Sequence, residues 1–269
     1  MSAITKVFKD LKAQGNGALI GYVMAGDPKP KYTLPIAEAL LRGGVDILEL
    51  GLPFSDPIAD GPTIQAASTR ALNAGTTPKM VLETAKAIKK EHDTPLAVMT
   101  YYNPVFKMGI DKFFTLAKDC SVDGTIIPDL PLEEAQDYRE AAGAHNIDTI
   151  FLAAPSTGNE KLAKIVESSS GFLYLVSRLG VTGTKTAVED STISLIKRVL
   201  PFTSGRIPLA VGFGVSKPQH VRRIIDAGAD GAIAGSVFVN IINENQNSPE
   251  KMLTELEKTA REMKKPTLR

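Results

Sequence analysis

The feature that most constrains the fold of this chain is an alternation of short β-rich runs with longer helical runs, repeated eight times. Parallel strands need a crossover connection, and the intervening helices supply it. Eight such units in 269 residues predict an α/β fold, a closed (β/α)8 TIM barrel. The predicted strands are Leu19–Met24, Val45–Leu50, Leu96–Tyr101, Gly124–Pro128, Thr149–Ala153, Phe172–Ser177, Leu209–Gly212 and Gly231–Gly235.

Helical periodicity predicts the connections, and also a helix at Ala3–Gln14 before the first strand. A doubly wound open sheet is the alternative, but it usually carries a Gly-rich phosphate loop after its first strand, and Met24–Pro28 has no such motif. Without a linker or a composition shift, residues 1–269 are predicted to form a single domain with an extra N-terminal helix. The other predicted helices are Lys31–Arg42, Pro62–Ala74, Pro78–Glu91, Lys112–Lys118, Leu132–Ala142, Glu160–Glu167, Asp190–Val199, Pro218–Ala227, Val237–Ile242 and Pro249–Lys264.

Composition restricts the partners and the compartment. The 31 Lys and Arg residues against 30 Asp and Glu leave a net charge of +1, which argues against binding to nucleic acid or an anionic membrane. The single cysteine, Cys120, cannot form an intramolecular disulfide and suits a reducing compartment. The charged N-terminal segment is unlike a secretory signal, and no apolar run approaches the length of a membrane span. We therefore expect a cytoplasmic protein.

The second predicted strand carries a candidate catalytic group. Side chains alternate along a strand, so Val45, Ile47 and Glu49 are predicted to share one face. If Leu48 and Leu50 pack against helices, Glu49 points into the barrel mouth at the carboxyl end of its strand, where barrel enzymes place catalytic groups. A carboxyl group against apolar walls has a raised pKa that suits proton transfer near neutrality. The alternative is a glutamate that pairs with a basic group and stabilises the barrel.

The loop that follows, Gly51–Pro62, contains three prolines and two glycines and is therefore restricted. It carries Asp56 and Asp60, so three carboxylates are expected near the mouth. They could bind a divalent metal, which prefers carboxylate oxygens. They could instead divide acid and base roles, or the two aspartates could be ordinary turn residues beside proline and glycine.

The run ELGLPFSDPIADGPTIQ, residues 49–65, resembles the signature of the tryptophan synthase α chain family. A run of this length is far more specific than a short motif, and chain length also matches. Further similar blocks span nearly the whole chain in order: Gly26–Pro28, Tyr101–Pro104, Ser177–Gly183, Val211–Val215 and Gly235–Ser236.

The resemblance implies a TIM barrel that cleaves indole-3-glycerol phosphate to indole and glyceraldehyde 3-phosphate in a retro-aldol reaction. It implies Glu49 and Asp60 as the catalytic pair and Tyr174 as an active-site tyrosine, and it implies no metal. Glu49 would protonate indole C3 and take the hydroxyl proton, while Asp60 would accept a hydrogen bond from the indole N–H. The partner implied is a β chain that holds pyridoxal phosphate and joins indole to serine, in an α2β2 heterotetramer.

A phosphate site is expected after strands seven and eight, where barrels often bind phosphate with backbone N–H groups at a short helix N-terminus. Gly212, Phe213 and Gly214 follow strand seven, and Gly235 and Ser236 follow strand eight. Neither segment contains a lysine or an arginine, so binding would depend on backbone dipoles. The alternative is that these glycines only make tight strand-to-helix turns.

The loop after strand six, residues 177–188, is predicted to close over the ligand as a lid. Gly183 is expected to complete the phosphate cradle, and Thr182 resembles the family residue that contacts Asp60. Tyr22 stands where many members of the family carry Phe, so the indole pocket would gain a hydroxyl group. Met99 and Thr100 are predicted to line the same pocket.

Other chemistries find less support. His92, His145 and His220 lie in or near helical segments, which indicates surface positions rather than a histidine mechanism. A Schiff-base aldolase needs a desolvated lysine, and the predicted strand ends carry none. Two alternatives stay open: a mainly regulatory subunit that acts through its β partner, and another phosphate-binding barrel such as an isomerase of the same pathway.

Overall fold

The computed structural model describes residues 1–177, 185–212 and 214–268, and its strands form one parallel sheet. The order of the strands in the sheet is β5-β4-β3-β2-β1-β9-β8-β7-β6. The strands are β1 (Ala18–Met24), β2 (Ile47–Gly51), β3 (Leu96–Met99), β4 (Gly124–Ile126), β5 (Asp148–Ile150), β6 (Leu152–Ala153), β7 (Leu173–Val176), β8 (Leu209–Gly212) and β9 (Gly231–Ala234).

The two end strands of this order are consecutive pieces of the fifth predicted strand, interrupted at Phe151. The first piece, β5, pairs with β4, and the second, β6, pairs with β7. The sheet therefore closes on itself as an eight-stranded barrel, and the predicted TIM barrel is confirmed.

Helices follow the strands and cover the outside of the barrel. None in the described part of the chain combines the length and the apolar character needed to cross a bilayer. The helices are α1 (Ala3–Ala13), α2 (Thr33–Arg42), α3 (Pro62–Asn73), α4 (Pro78–Glu91), α5 (Tyr102–Met108), α6 (Ile110–Asp119), α7 (Gln136–Ala144), α8 (Asn159–Ser168), α9 (Lys185–Thr203), α10 (Pro218–Asp226), α11 (Ser236–Glu244) and α12 (Pro249–Lys264), with 3-10 turns at Pro30–Tyr32, Leu132–Glu134 and Lys265–Thr267.

One helix escaped prediction. The seven-residue α5 carries an Asn-Pro pair near its start, which reads as a turn, although proline is tolerated in the first turn of a helix. It ends at Gly109, whose φ of 90° breaks the helix before α6 begins. The predicted helix Leu132–Ala142 also divides, into a 3-10 turn and α7.

Two apolar layers fix the direction of each strand's side chains. Leu48 and Leu50 belong to the outer layer between strands and helices, whereas Ile47 belongs to the barrel interior. Helix α1 closes the amino-terminal end of that interior, with the Phe8 ring 5.7 Å from the Phe172 ring. Val45 packs in the outer layer, contrary to prediction, because regular strand alternation begins only at Ile47.

Candidate active site

A pocket with an empty volume of about 700 Å³, open mouth included, lies at the carboxyl-terminal end of the barrel. Its walls come from the ends of five strands and from the segments that follow them. Eight residues predicted for the site lie together here: Tyr22, Glu49, Asp60, Met99, Tyr174, Gly214, Gly235 and Ser236. The remaining lining residues are Gly61, Pro62, Thr63, Ile64, Val215 and Ile233.

Glu49 is fully buried, and within the described residues neither carboxylate oxygen has a hydrogen-bond partner. Glu49 lies two positions after Ile47 on β2, so side-chain alternation directs both residues into the barrel interior, as predicted for Glu49. Burial, together with a smaller contribution from the negative charge of Asp60, raises the pKa of Glu49 to about 8. A neutral carboxylic acid is therefore the resting form of Glu49 near pH 7.

Asp60 reaches the same pocket from the loop after β2. Burial raises the pKa of Asp60 to about 6, and a hydrogen bond from the Tyr101 hydroxyl opposes that rise. Asp60 is therefore mostly ionised near pH 7, when Glu49 is mostly protonated. Two carboxyl groups whose surroundings separate their pKa values in this way can divide acid and base roles.

Tyr101 is the residue of this site that sequence reasoning missed. Its hydroxyl bonds the Asp60 side chain and accepts a 2.9 Å hydrogen bond from the Ala59 N–H, and its ring stacks on Phe54 at 5.3 Å. One signal was available, because Tyr101 follows the end of the third strand, as Asp60 follows the second.

Helix α3 fixes the loop that carries Asp60. The Ser68 hydroxyl accepts from the Phe54 N–H at 2.9 Å and donates to the Phe54 carbonyl at 2.8 Å. The Gln65 amide donates to the Asp60 carbonyl at 2.8 Å. Asp56, in contrast, is exposed and accepts from its neighbour Ser55, so the three carboxylates do not converge. The described residues contain no cluster of three or more metal-ligating side chains.

Glycines beside the two pocket tyrosines make room for the phenol rings. A Cβ atom on Gly51 would lie 2.3 Å from the Tyr22 hydroxyl, and one on Gly212 would lie 2.6 Å from the Tyr174 hydroxyl. Gly212 was predicted as a substrate-binding residue, but it lies behind Tyr174 rather than in the pocket lining. Its close approach to the Tyr174 ring explains the requirement for glycine.

The far wall of the pocket offers a place for an anion. Ser236 begins α11 directly after Gly235, and the first N–H groups of a helix, with its dipole, favour negative charge. Gly214 adopts a φ of 78° and lies in the same wall. The segment after β8 is held by a histidine of α10, because the Ser216 N–H donates to the His220 ring at 3.3 Å. His220 is half-buried and therefore holds this segment rather than lying free on the surface.

Of the other predicted residues, Thr100 lies beside the main pocket, and three are not described by the structure. Thr100 is buried, donates to the Tyr101 carbonyl at 3.3 Å and lines a smaller adjoining space of about 230 Å³, not the main pocket. That space shares Tyr22 and Asp60 with the main pocket. Thr182, Gly183 and Phe213, together with most of the predicted lid, lie outside the described residues.

Comparisons with known proteins agree along the whole chain. A family model described as tryptophan synthase alpha chain matches residues 8–268. The tryptophan synthase alpha chain of Methanosarcina acetivorans is 51% identical over 261 residues, which cover 97% of this chain and 92% of that protein. The crystal structure of tryptophan synthase subunit alpha from Legionella pneumophila has a TM-score of 0.90 at 32% identity and covers 99% of this chain and 98% of its own. A chain of the tryptophan synthase complex from Pyrococcus furiosus has a TM-score of 0.83 at 39% identity, covering 92% of this chain and 98% of its own. This chain therefore belongs to the tryptophan synthase alpha chain family.

Proposed function

We propose that Glu49 and Asp60 are the acid–base pair with which this chain carries out the reaction of its family, the cleavage of indole-3-glycerol phosphate to indole and glyceraldehyde 3-phosphate. The chain is accordingly a lyase of tryptophan biosynthesis. The observation that carries the assignment is that both side chains line one pocket, where burial raises the pKa of Glu49 to about 8 and that of Asp60 to about 6. One group therefore starts protonated and the other starts ionised.

In the proposed reaction, Glu49 gives one proton and takes one back, so no proton is gained or lost overall. Protonated Glu49 donates to indole C3, and the positive charge that develops on the ring nitrogen is stabilised by ionised Asp60. The Glu49 carboxylate then takes the proton of the glycerol hydroxyl next to C3. The C3–C bond breaks, its electron pair returns to the indole ring, and the hydroxyl carbon becomes the aldehyde of glyceraldehyde 3-phosphate. Glu49 ends in the protonated form in which it began.

The apolar end of the pocket suits the indole ring. Tyr22, Met99 and Tyr174 line it around Glu49, and these groups exclude water from the carboxyl group. At the opposite wall we place the phosphate on the N–H groups that begin α11 after Gly235, next to the Ser236 hydroxyl and Gly214. By family resemblance, Thr182, Gly183 and Phe213 would complete the enclosure, and Thr100 would act from behind the main pocket.

The partner is proposed to be a tryptophan synthase β chain in an α2β2 heterotetramer. Ile58 and Phe106 support a docking face, because they are 83% and 66% exposed and both follow carboxyl ends of barrel strands, around the pocket mouth. By family resemblance, pyridoxal phosphate is assigned to the β chain. We place the assembly in the cytoplasm and treat residues 1–269 as one functional domain.

The test is indole release from indole-3-glycerol phosphate by three purified variants of this chain. We expect Glu49→Gln and Asp60→Asn to lose release by about 10²- to 10⁴-fold, the usual contribution of a general acid or base. Asp56→Asn is the matched control, because it changes an exposed carboxylate of the same loop and should retain activity. Near-normal release by folded Glu49→Gln would refute the assignment.

The same assay with and without a β chain separates the remaining alternatives. A mainly regulatory subunit would form a stable complex with the β chain but would release little indole on its own. An isomerase would convert a different sugar phosphate and release no indole. We expect release by the chain alone and faster release in the complex.

A further inference from the structure

A buried ion pair outside the pocket is not used by the proposed reaction. Asp27, in the loop after β1, is fully buried, and Arg70 of α3 approaches both of its oxygens. The Arg70 Nε atom lies 2.7 Å from Oδ1, and Nη2 lies 2.8 Å from Oδ2. The remaining Nη1 donates to the Asn243 side chain at 2.9 Å. One guanidinium group therefore joins three separate segments of the chain.

Each of the three segments carries part of the site. Helix α3 contributes Pro62, Thr63 and Ile64 to the pocket and, through Gln65, holds the Asp60 carbonyl. Asn243 lies in α11, the helix whose first turn is the proposed phosphate site. The loop containing Asp27 continues from β1, the strand that contributes Tyr22.

We propose that Arg70 is a positioning residue for the cleavage reaction, which sets the distance between the Asp60 loop and the phosphate-binding turn by bonding Asp27 and Asn243 together. The proposal rests on the assignment of Asp60 to catalysis. Arg70 contacts neither the pocket nor the substrate site directly, so its influence passes through α3. A misplacement of about 1 Å far from the reacting atoms can cost about 10²-fold in rate, which makes such a device effective.

The chemistry of arginine suits this role. Its planar fork makes two parallel bonds to one carboxylate and keeps a third donor in a fixed direction, whereas a lysine ammonium group is a single point on a flexible chain. Apolar residues of similar size often stabilise a protein as well as a buried ion pair does. Directionality is therefore the property that an apolar replacement would lack at this position.

The test uses Arg70→Lys in the full chain, with Arg42→Lys as the matched control. Arg42 also joins two elements by an ion pair, from α2 to Glu257 of α12 at 2.9 Å, but it lies away from the pocket. We expect Arg70→Lys to lower kcat for indole release by about 10-fold or more and to shift the acidic limb of the pH–rate profile, because Asp60 moves relative to Glu49. Binding of glycerol 3-phosphate, which needs only the phosphate end, should stay close to that of the wild type.

A merely structural role would give a different result. Arg70→Lys would then lower the free energy of unfolding, as Arg42→Lys does, while kcat per folded molecule and the pH–rate profile stayed unchanged, and the proposal would be overturned. If Arg70→Lys does not fold, Asn243→Ala decides alone, since it keeps the Asp27–Arg70 pair and removes only the link to α11. A wild-type kcat in Asn243→Ala would then overturn the proposal. Full activity in Asp60→Asn would instead reject the underlying function.

Discussion

The two ends of the barrel use carboxylates in opposite ways. At the amino-terminal end, three aspartates each accept a hydrogen bond from a backbone N–H of the preceding strand and pair with a lysine. At the carboxyl-terminal end, the buried oxygens of Glu49 have no partner among the described residues. The paired groups are Asp46 with Leu19 and Lys264, Asp123 with Leu96 and Lys89, and Asp230 with Leu209 and Lys12, at 2.6 to 3.0 Å.

The amino-terminal pattern recurs at every second strand of the barrel. Between the fifth and sixth barrel strands its place is taken by a serine, because the Thr149 N–H donates to the Ser170 hydroxyl at 2.8 Å. Each of these groups satisfies a backbone N–H at a strand start that would otherwise lack a partner. Carboxyl groups therefore stabilise the barrel where a backbone N–H and a lysine pair with them, whereas a buried carboxyl group without such partners is a candidate for catalysis.

Glu49→Gln tests this difference between the two ends and should stabilise the protein near neutral pH. The pKa of Glu49 is about 8 in the folded chain against 4.5 in the unfolded chain, so the folded state holds a proton that the unfolded state loses between these values. Wild-type stability therefore falls as pH rises through this window, and the stability of Glu49→Gln does not. We expect Glu49→Gln to be more stable by about 3 kcal/mol at pH 7.

Urea unfolding at several pH values measures this difference. Wild type and Glu49→Gln should have equal stability below pH 4.5, where Glu49 is neutral in both states, and should diverge up to about pH 8. A difference that does not change with pH would mean that Glu49 is not held in its neutral form by burial.

At the amino-terminal end, removal of a carboxylate should destabilise the protein rather than stabilise it. Asp123→Ala removes the acceptor of the Leu96 N–H and the partner of Lys89, whose side chain is only 13% exposed. The free energy of unfolding should fall by about 2 kcal/mol, while indole release per folded molecule stays unchanged. The exposed Asp119→Ala is the control and should change stability little. Loss of activity in folded Asp123→Ala would show that the two ends are not separate in function.

A carboxylate added to the phosphate wall should weaken substrate binding. Gly235→Asp places an anion beside the proposed phosphate position, and its Cβ would lie 3.2 Å from the Tyr22 Cβ. We expect the KM for indole-3-glycerol phosphate to rise by about 10-fold, equivalent to about 1.4 kcal/mol. Gly143→Asp in α7 is the control, because a Cβ there meets no atom within 4 Å. An unchanged KM would place the phosphate elsewhere.

Periodicity predicted the barrel because each strand carries its own signal. The strand Leu209–Gly212 and the helices Pro78–Glu91 and Pro249–Lys264 match their predicted bounds. The inward direction of Glu49 followed from side-chain alternation on the condition that Leu48 and Leu50 pack against helices, as they do. The break at Phe151 could not be predicted, because it depends on how the closing barrel bends the fifth strand. The catalytic assignments came from family resemblance rather than from periodicity.

Pairings across the chain were beyond sequence reasoning. Arg70 and Asp27 are 43 positions apart, and nothing in either segment indicates the other. Tyr101 and Asp60 likewise meet only because neighbouring strands bring their carboxyl ends together. Thr100 was predicted to line the pocket from its position near a strand end, but it lies beyond the last ladder residue of β3, Met99, and lines the adjoining space instead.

The smallest expected effect comes from removing the hydrogen bond between Tyr101 and the Asp60 side chain. With Asp60 ionising at about 6 and Glu49 at about 8, kcat/KM should follow a bell-shaped pH profile between these values. The Tyr101 hydrogen bond lowers the pKa of Asp60, so Tyr101→Phe should raise that pKa and move the acidic limb toward neutrality by up to about one pH unit. Tyr138→Phe is the control, because its hydroxyl bonds Thr125 at 2.6 Å outside the pocket and should leave the profile in place. If Tyr101→Phe left the acidic limb where it was, that limb would belong to a group other than Asp60.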